Sequence, residues 1–388
     1  MKRYKKIIII SELIIMSIML SGCYDVYPIE DLGVLLGVGY DIDIGDKVTF
    51  VDPAEVPIIG EGTVSSVVYI GRGHTIFDLV ENRMTKMPSR FSLGTELVAI
   101  ISEERARFGI EDIIDGILRD PNAGLKALLA VNEGKCVKYF SVDSVIDETN
   151  SDVLYNEIRF SHLSNFFTKD ITVDNIIRMY YQEGRKVCLP YMELIEDKPQ
   201  ITGLALFSDD KMLYKLDMRE TKLLNLLRNN DAHGYLHLSA KEDIDFFDVE
   251  KFDEYASILS NKYIKYLDFN GKTTRKVEVS KIGEQLKYNI KIDISGFLLI
   301  NTLIDQDLDK KTINLVEETF VRKLEKLLNE EVRKVQKEYR EDFLDITHYA
   351  VAKYGRHNKC SSNEYFENAL IDVKVNFTIE SVGRNSKN

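Results

Sequence analysis

The C-terminal part of the chain contains two segments of strict apolar–polar alternation, with one long amphipathic segment between them. Alternation at residues 286–294 and again at residues 371–381 is typical of strands with one buried face. Residues 312–339 instead carry apolar side chains at helical spacing, with acidic and basic residues four apart beside them. Such a stripe can form a coiled coil, but we expect this helix to pack on the sheet of its own chain.

Strands and helices also alternate in the first part of the chain. Runs of β-branched residues at 48–51 and 64–70 precede a helical pattern at 75–87, and a strand pattern at 97–101 precedes a helical one at 110–118. We therefore predict an α/β (α+β) protein of several domains, with mixed β-sheets flanked by helices. In its C-terminal domain we expect the long helix to pack on an antiparallel sheet.

The dipeptide Asn270-Gly271 predicts a tight turn. It stands between two strand-like segments, residues 263–269 and residues 273–279. Asn-Gly between alternating segments is the strongest short signal for a two-residue hairpin loop. We expect a β-hairpin centred on this dipeptide.

Proline-containing breaks at Leu189-Pro190 and Asp197-Lys198-Pro199 indicate a domain boundary. Together with the patterns on either side, they divide the chain into four parts. We predict a signal segment at residues 1–22, an N-terminal domain at 23–198, a small middle domain at 199–236 and a C-terminal domain at 237–388.

The N-terminus has the form of an export signal. Lys2, Arg3, Lys5 and Lys6 precede an apolar stretch at residues 7–20. This stretch is too short to cross about 30 Å of hydrocarbon comfortably as a helix. A basic start followed by a short apolar core is typical of a secretory signal peptide.

The next four residues, Leu20, Ser21, Gly22 and Cys23, resemble a bacterial lipobox. In that motif the cysteine thiol takes a diacylglyceryl group, the peptide is cut before the cysteine, and the lipid holds the mature protein at a membrane. We therefore expect Cys23 to be the site of lipid attachment. The alternatives are a conventional signal peptide with a chance cysteine, or an uncleaved anchor.

The charge of the chain is divided unevenly. The net charge is −12, and four basic residues against one acidic residue give residues 1–22 a charge of +3, so the rest carries −15. Proteins that bind nucleic acid need a basic face, and we predict no nucleic-acid partner. An acidic body is repelled by an anionic membrane surface, so a covalent anchor would be what retains it there.

Residue types that often carry chemistry do not form a recognisable motif. Cys136, Cys188 and Cys360 are far apart and include no C-x-x-C pair, so we expect three separate, mostly buried thiols. His233 and His237 are four apart, but no third ligand accompanies them. We predict no metal site, no cofactor apart from the lipid on Cys23, and no enzymatic activity.

Several segments, in this order and spacing, resemble the Ger(x)C family, the C subunits of spore germinant receptors. The lipobox is followed by residues 37–41 (Gly-Val-Gly-Tyr-Asp) and by a pattern across residues 94–120. The later landmarks are Leu189-Pro190, residues 203–207 with Lys211, and Asp342-Phe343-Leu344 after the long helix. The resemblance covers nearly the full length of the chain.

Three positions depart from the family pattern. Tyr24 stands where the family usually has tryptophan after the lipobox cysteine, and Thr95 stands where it often has histidine. Tyr365 and Phe366 stand near the place of C-terminal family tryptophans, and this chain has no tryptophan. The replacements at Tyr24 and near Tyr365 keep aromatic bulk. They therefore bear on which ligand or partner the protein binds more than on whether it belongs to the family.

The resemblance implies a role at a membrane. Family members are lipoproteins on the outer face of the spore inner membrane, which assemble with an A subunit and an integral-membrane B subunit. The complex senses nutrients and triggers germination, and the C subunit has no known catalytic residues. An alternative that stays open is a solute-binding lipoprotein of an ABC-type importer. A third alternative, a secreted hydrolase, has less support in the sequence.

Overall fold

The structure is a computed structural model. It describes residues 4, 10–12, 32–58, 65–87, 90–92, 94–121, 123–142, 148–169, 171–239, 244–245, 266–301 and 310–381. The predicted lipobox residues, Leu20, Ser21, Gly22 and Cys23, lie outside these ranges. Within them, no helix is both long enough and apolar enough to cross a membrane.

The first sheet has eight strands in the order β10-β9-β8-β7-β6-β2-β3-β4. Strands β2, β6, β7 and β8 run parallel at its centre, and antiparallel strands flank them on both sides. β1 (Leu32–Val34) and β5 (Arg90–Ser92) form a separate parallel pair. The remaining bounds are β2 Gly37–Ile44, β3 Val48–Ile58, β4 Ser65–Gly73, β6 Val98–Ser102, β7 Leu128–Asn132, β8 Cys188–Ile195, β9 Lys198–Ser208 and β10 Lys211–Asp217.

Helices connect and cover this sheet, as expected for parallel strands that are buried on both faces. Every residue of β6 and of β7 is buried. Thr149 and Asp217 each begin a helix with a full capping box. The helices are α1 Ile76–Met84, α2 Glu103–Phe108, α3 Glu111–Arg119, α4 Cys136–Tyr139, α5 Asn150–Phe160, α6 Val173–Tyr181 and α7 Met218–Arg228, with a 3₁₀ turn at Ser161–Leu163.

The second sheet has five strands in the order β12-β11-β13-β14-β15. Its strands are antiparallel except β15, which runs parallel to β14. A parallel neighbour requires a crossover connection, and the long helix lies in that connection. The bounds are β11 Ala232–Ser239, β12 Ile244–Asp245, β13 Tyr266–Ile282, β14 Gln285–Asn301, α8 Lys310–Lys334, a π-helical turn Val335–Tyr339, α9 Thr347–Tyr354, a 3₁₀ turn Lys359–Ser361, α10 Asn363–Glu367 and β15 Leu370–Ser381.

The long helix packs on its own sheet, which confirms that expectation. Phe320 of α8 is fully buried, and its ring stacks on Phe377 of β15 at a centroid distance of 4.2 Å. Phe269 of β13 meets the Phe320 ring edge-on, at a centroid distance of 5.8 Å. Sheet and helix thus share one aromatic cluster, which explains the apolar stripe of the helix.

The hairpin predicted at Asn270-Gly271 is wrong. Strand β13 runs without a break through Gly271, and the turn lies further on, where Ile282 pairs with Gln285 and Gly283 has a φ of +62°. Gly271 sits between Gly234 and Gly296 on the neighbouring strands.

This row of glycines makes room for aromatic rings. A Cβ atom on Gly234 would lie 2.4 Å from the ring of Phe166, and one on Gly296 would lie 2.9 Å from the ring of Phe377. The local turn signal of Asn-Gly is therefore overridden by packing across the sheet.

The two sheets share a continuous apolar core, which extends from Val38 on the first sheet to Phe377 on the second. Strands β9 and β10 lie within the predicted middle domain and pair with the first sheet through β8. β11 pairs with β13 in the second sheet. The predicted domain limits at residues 22, 198 and 236 stay a prediction.

Candidate functional site

The three cysteines of the body lie apart and are free, which confirms the expectation of separate thiols. Cys136 and Cys360 are fully buried. Burial raises the pKa of the Cys136 thiol well above its ordinary value, and it raises the pKa of Cys188 to about 11. Thiols of this kind are protonated at neutral pH and are poor nucleophiles.

The histidine pair lies on β11, where a spacing of four places both side chains on one face of the sheet. His237 Nδ1 lies 2.5 Å from Asp268 Oδ1, so its partner is a carboxylate on the next strand. Across the part of the chain that the structure describes, no three His, Cys, Asp or Glu side chains are grouped to hold a metal ion.

A cleft of about 730 Å³ lies between the first sheet and β11. Its walls come from β8, β9, β10, the first turn of α7 and β11. Lys215 binds Glu193, and its ammonium lies 4.4 Å from the centre of the Tyr191 ring. Glu220 on α7 binds Lys334 on α8. The main charges at the cleft are therefore paired with one another.

A second cavity, of about 300 Å³, lies where the first sheet and its helices meet the second sheet. Three guanidinium groups and one carboxylate line it, each from a different element. They are Arg185 before β8, Arg228 in the last turn of α7, Arg275 on β13, and Asp345 after the π-helical turn. We call this site the arginine cavity.

Backbone carbonyl groups hold two of these arginines. Arg228 donates from Nη2 to the carbonyl of Lys186 at 2.7 Å and from Nη1 to that of Phe343 at 3.2 Å. Arg275 donates from Nη2 to the carbonyl of Leu344 at 2.8 Å. The same loop thus fixes both guanidinium groups, although they belong to different sheets.

Asp345 supplies the negative charge of the cavity. Its Oδ1 lies 3.6 Å from Arg185 Nε and 3.3 Å from His348 Nδ1. Burial acts to raise the pKa of this carboxyl, but His348 and the charges of Arg228 and Arg185 outweigh burial and hold the pKa well below its usual value. Asp345 is therefore ionised, and it is the one carboxylate that lines the cavity beside three guanidinium groups. The buried carboxyl of Asp342, outside the lining, also acts on Arg228 and Arg275.

No sequence motif marks these four residues. Neighbouring members of the set are 43, 47 and 70 residues apart in sequence, so the set spans 160 residues, and none belongs to a short motif. The available signal was indirect, because landmarks of the family resemblance meet at this place. Pro190 and Leu204 line the cavity, and the carbonyls of Phe343 and Leu344 hold its arginines.

The described residues thus define an α+β protein of two mixed sheets with a shared core and an arginine-lined cavity at their junction. A family model described as "Spore germination protein N-terminal domain" matches residues 25–194. A second model, described as "Spore germination B3/ GerAC like, C-terminal", matches residues 202–383. The chain belongs to the Ger(x)C family of spore germination proteins, as its sequence landmarks indicated.

Relatives match over nearly the whole length. Spore germination protein GerQC of Bacillus cereus is 22% identical, over 93% of this chain and 96% of the relative. Spore germination protein A3 of Bacillus subtilis (strain 168) is also 22% identical, over 96% and 97%. The crystal structure of the GerBC protein aligns with a TM-score of 0.54 at 15% identity, over 88% of this chain and 97% of that one, which supports the predicted fold class.

Proposed function

We propose that this chain is the C subunit of a spore germinant receptor, held at a membrane by a lipid on Cys23. The observation that carries the proposal is the match of two germination-protein models to residues 25–194 and 202–383. The first match begins two residues after Cys23, where the mature protein of a lipoprotein would begin. The family match favours this role over that of a solute-binding lipoprotein of an importer.

The proposed mechanism is assembly and not catalysis. The lipid places the acidic body at the outer face of the spore inner membrane, where it assembles with an A subunit and an integral-membrane B subunit. The matched relatives are named as spore germination proteins and not as enzymes. Because the body carries a charge of −15, an anionic lipid surface repels it, and the two or more acyl chains of a lipoprotein provide stable retention.

Substitution of the proposed acylation site tests the anchor. We expect Cys23→Ala to lose incorporation of a labelled fatty acid, to move from the membrane to the soluble fraction, and to reduce nutrient-triggered germination. Ser21→Ala is the matched control, because it changes the lipobox but keeps a small side chain and the thiol. If Cys23→Ala stays in the membrane fraction and supports germination at the normal rate, the anchoring proposal is wrong.

Copurification tests the partners. A tagged full-length chain, extracted from spore membranes with mild detergent, should carry two further proteins, one of them an integral-membrane transporter-like protein. A chain that is acylated and membrane-bound but purifies alone would contradict assembly while leaving the anchor intact.

A further inference from the structure

We propose that the arginine cavity binds a small organic carboxylate. This proposal goes beyond the role in germination, because it concerns the body of the protein alone and needs neither lipid nor partner subunits. It rests on the charge, the unpaired donors and the apolar side chains that line one cavity of about 300 Å³.

The charge of the cavity is unbalanced. Arg185, Arg228 and Arg275 are permanently cationic, since a guanidinium does not lose its proton in proteins. Asp345 is the one carboxylate among the cavity-lining residues. Buried charges are stable when they are paired, and a bound anion would supply the missing negative charge.

Several donors in the cavity are unused. Arg185 Nε and Arg275 Nε are buried without a hydrogen-bond partner within the described structure. Arg185 Nη1 and Nη2 and Arg275 Nη1 also make no hydrogen bond to any residue of the described ranges. Arg228 is 8% exposed and is held rigidly by two carbonyl groups. Guanidinium groups with free, fixed donors match the geometry of a carboxylate or a phosphate group.

Apolar side chains also line the cavity and favour an organic ligand over an inorganic ion. Ile171, Ile176 and Met179 come from α6 and the segment before it, and Pro190 and Leu204 come from the first sheet. Cavities of this volume lie at the lower end of those that hold small molecules. A ligand with one carboxylate and a short apolar body would pair with the guanidinium groups and contact these apolar side chains.

The site lies across the junction of the two sheets. Arg228 belongs to a helix of the first sheet, and Arg275 belongs to a strand of the second. A bound carboxylate would neutralise repulsion between them and so favour the arrangement in which the two sheets are packed together.

Binding to the full-length chain in detergent tests the proposal. The probes are propionate, succinate, L-leucine and benzoate, with the matched amides propionamide, succinamide, L-leucinamide and benzamide, and with inorganic phosphate and sulfate. We expect at least one carboxylate to bind saturably in calorimetry and to raise Tm, while its amide and the inorganic ions do not. No binding by any carboxylate at a Kd of about 10 mM or tighter would overturn the proposal, as would equal binding of phosphate.

Variants locate the site. Arg185→Gln removes free donors and should weaken binding about tenfold or more, as expected for a charge-assisted hydrogen bond. Arg185→Lys keeps the charge and should restore part of the affinity even if the glutamine variant is unstable. Arg178→Gln is the matched control, because Arg178 lies on α6 in an exposed ion pair with Asp174 and does not line the cavity. Unchanged affinity in both Arg185 variants, or equal loss in Arg178→Gln, would show that the carboxylate binds elsewhere.

Discussion

Glu331 is a buried carboxyl whose ionisation should make the stability of this protein depend on pH. It lies on α8 opposite α7, is 6% exposed, and its Oε1 has no hydrogen-bond partner within the described structure. Burial raises its pKa to about 7; Lys334 opposes this shift, and Glu220, Glu338 and Asp217 add to it. The ordinary value for a glutamate is 4.5.

The magnitude follows from the linkage between proton binding and folding. Below pH 4.5 the Glu331 carboxyl is protonated in both the folded and the unfolded chain, and it has no effect on their difference. Between pH 4.5 and pH 7 the folded chain holds a proton that the unfolded chain has lost, so stability falls as pH rises. At about 1.4 kcal/mol per pH unit, the ionised carboxyl destabilises the folded state by about 3 kcal/mol at pH 8.

Glu331→Gln should remove this penalty. We expect its urea midpoint, followed by circular dichroism, to exceed that of the unsubstituted chain at pH 8 by an amount equivalent to about 3 kcal/mol, and to differ much less at pH 5. Glu330→Gln is the matched control, because it makes the same change of charge at the neighbouring, exposed position. A gain that is equal at both pH values, or a loss of stability at pH 8, would refute the reasoning.

Two further substitutions test the packing of each sheet. Phe320→Ala should lower the free energy of unfolding by about 3–5 kcal/mol, because it removes the ring stacked on Phe377. The control Leu315→Ala, on the exposed face of α8, should change the free energy of unfolding little. Equal effects of the two substitutions in urea unfolding would contradict this prediction. Arg83→Met should cost about 3–5 kcal/mol at pH 8, because it leaves Asp52 buried without the cation 2.5 Å away. Since burial already raises the pKa of Asp52 to about 6, the same variant should lose less at pH 5, and a loss independent of pH would argue against the pair.

Much of the secondary structure was predictable because it depends on neighbouring residues. The alternation at residues 286–294 and 371–381 corresponds to β14 and β15, and the helical stripe corresponds to α8. The prediction of a hairpin at Asn270-Gly271 was wrong for a specific reason. The same dipeptide that favours a turn locally also fits a strand where neighbouring sheet positions hold glycine and aromatic rings.

The arginine cavity was out of reach of the same reasoning. Arg185, Arg228, Arg275 and Asp345 come together only because two sheets pack on a common core and one loop reaches between them. Each of these side chains, viewed along the chain, resembles an ordinary surface charge. The burial of Arg228 and Asp345, and the excess of positive charge in the cavity lining, are properties of the packed molecule.

The sequence by itself determined the family, the division of charge and the positions of most strands and helices, and it predicts lipid attachment at Cys23. These depend on order, spacing and local periodicity, which the chain carries without being folded. Only the tertiary structure decided that β15 runs parallel to β14, that Gly271 lies inside a strand, and that three arginines face one aspartate. Those outcomes depend on contacts between residues distant in sequence, where packing and burial, and not local preference, set the lowest free energy.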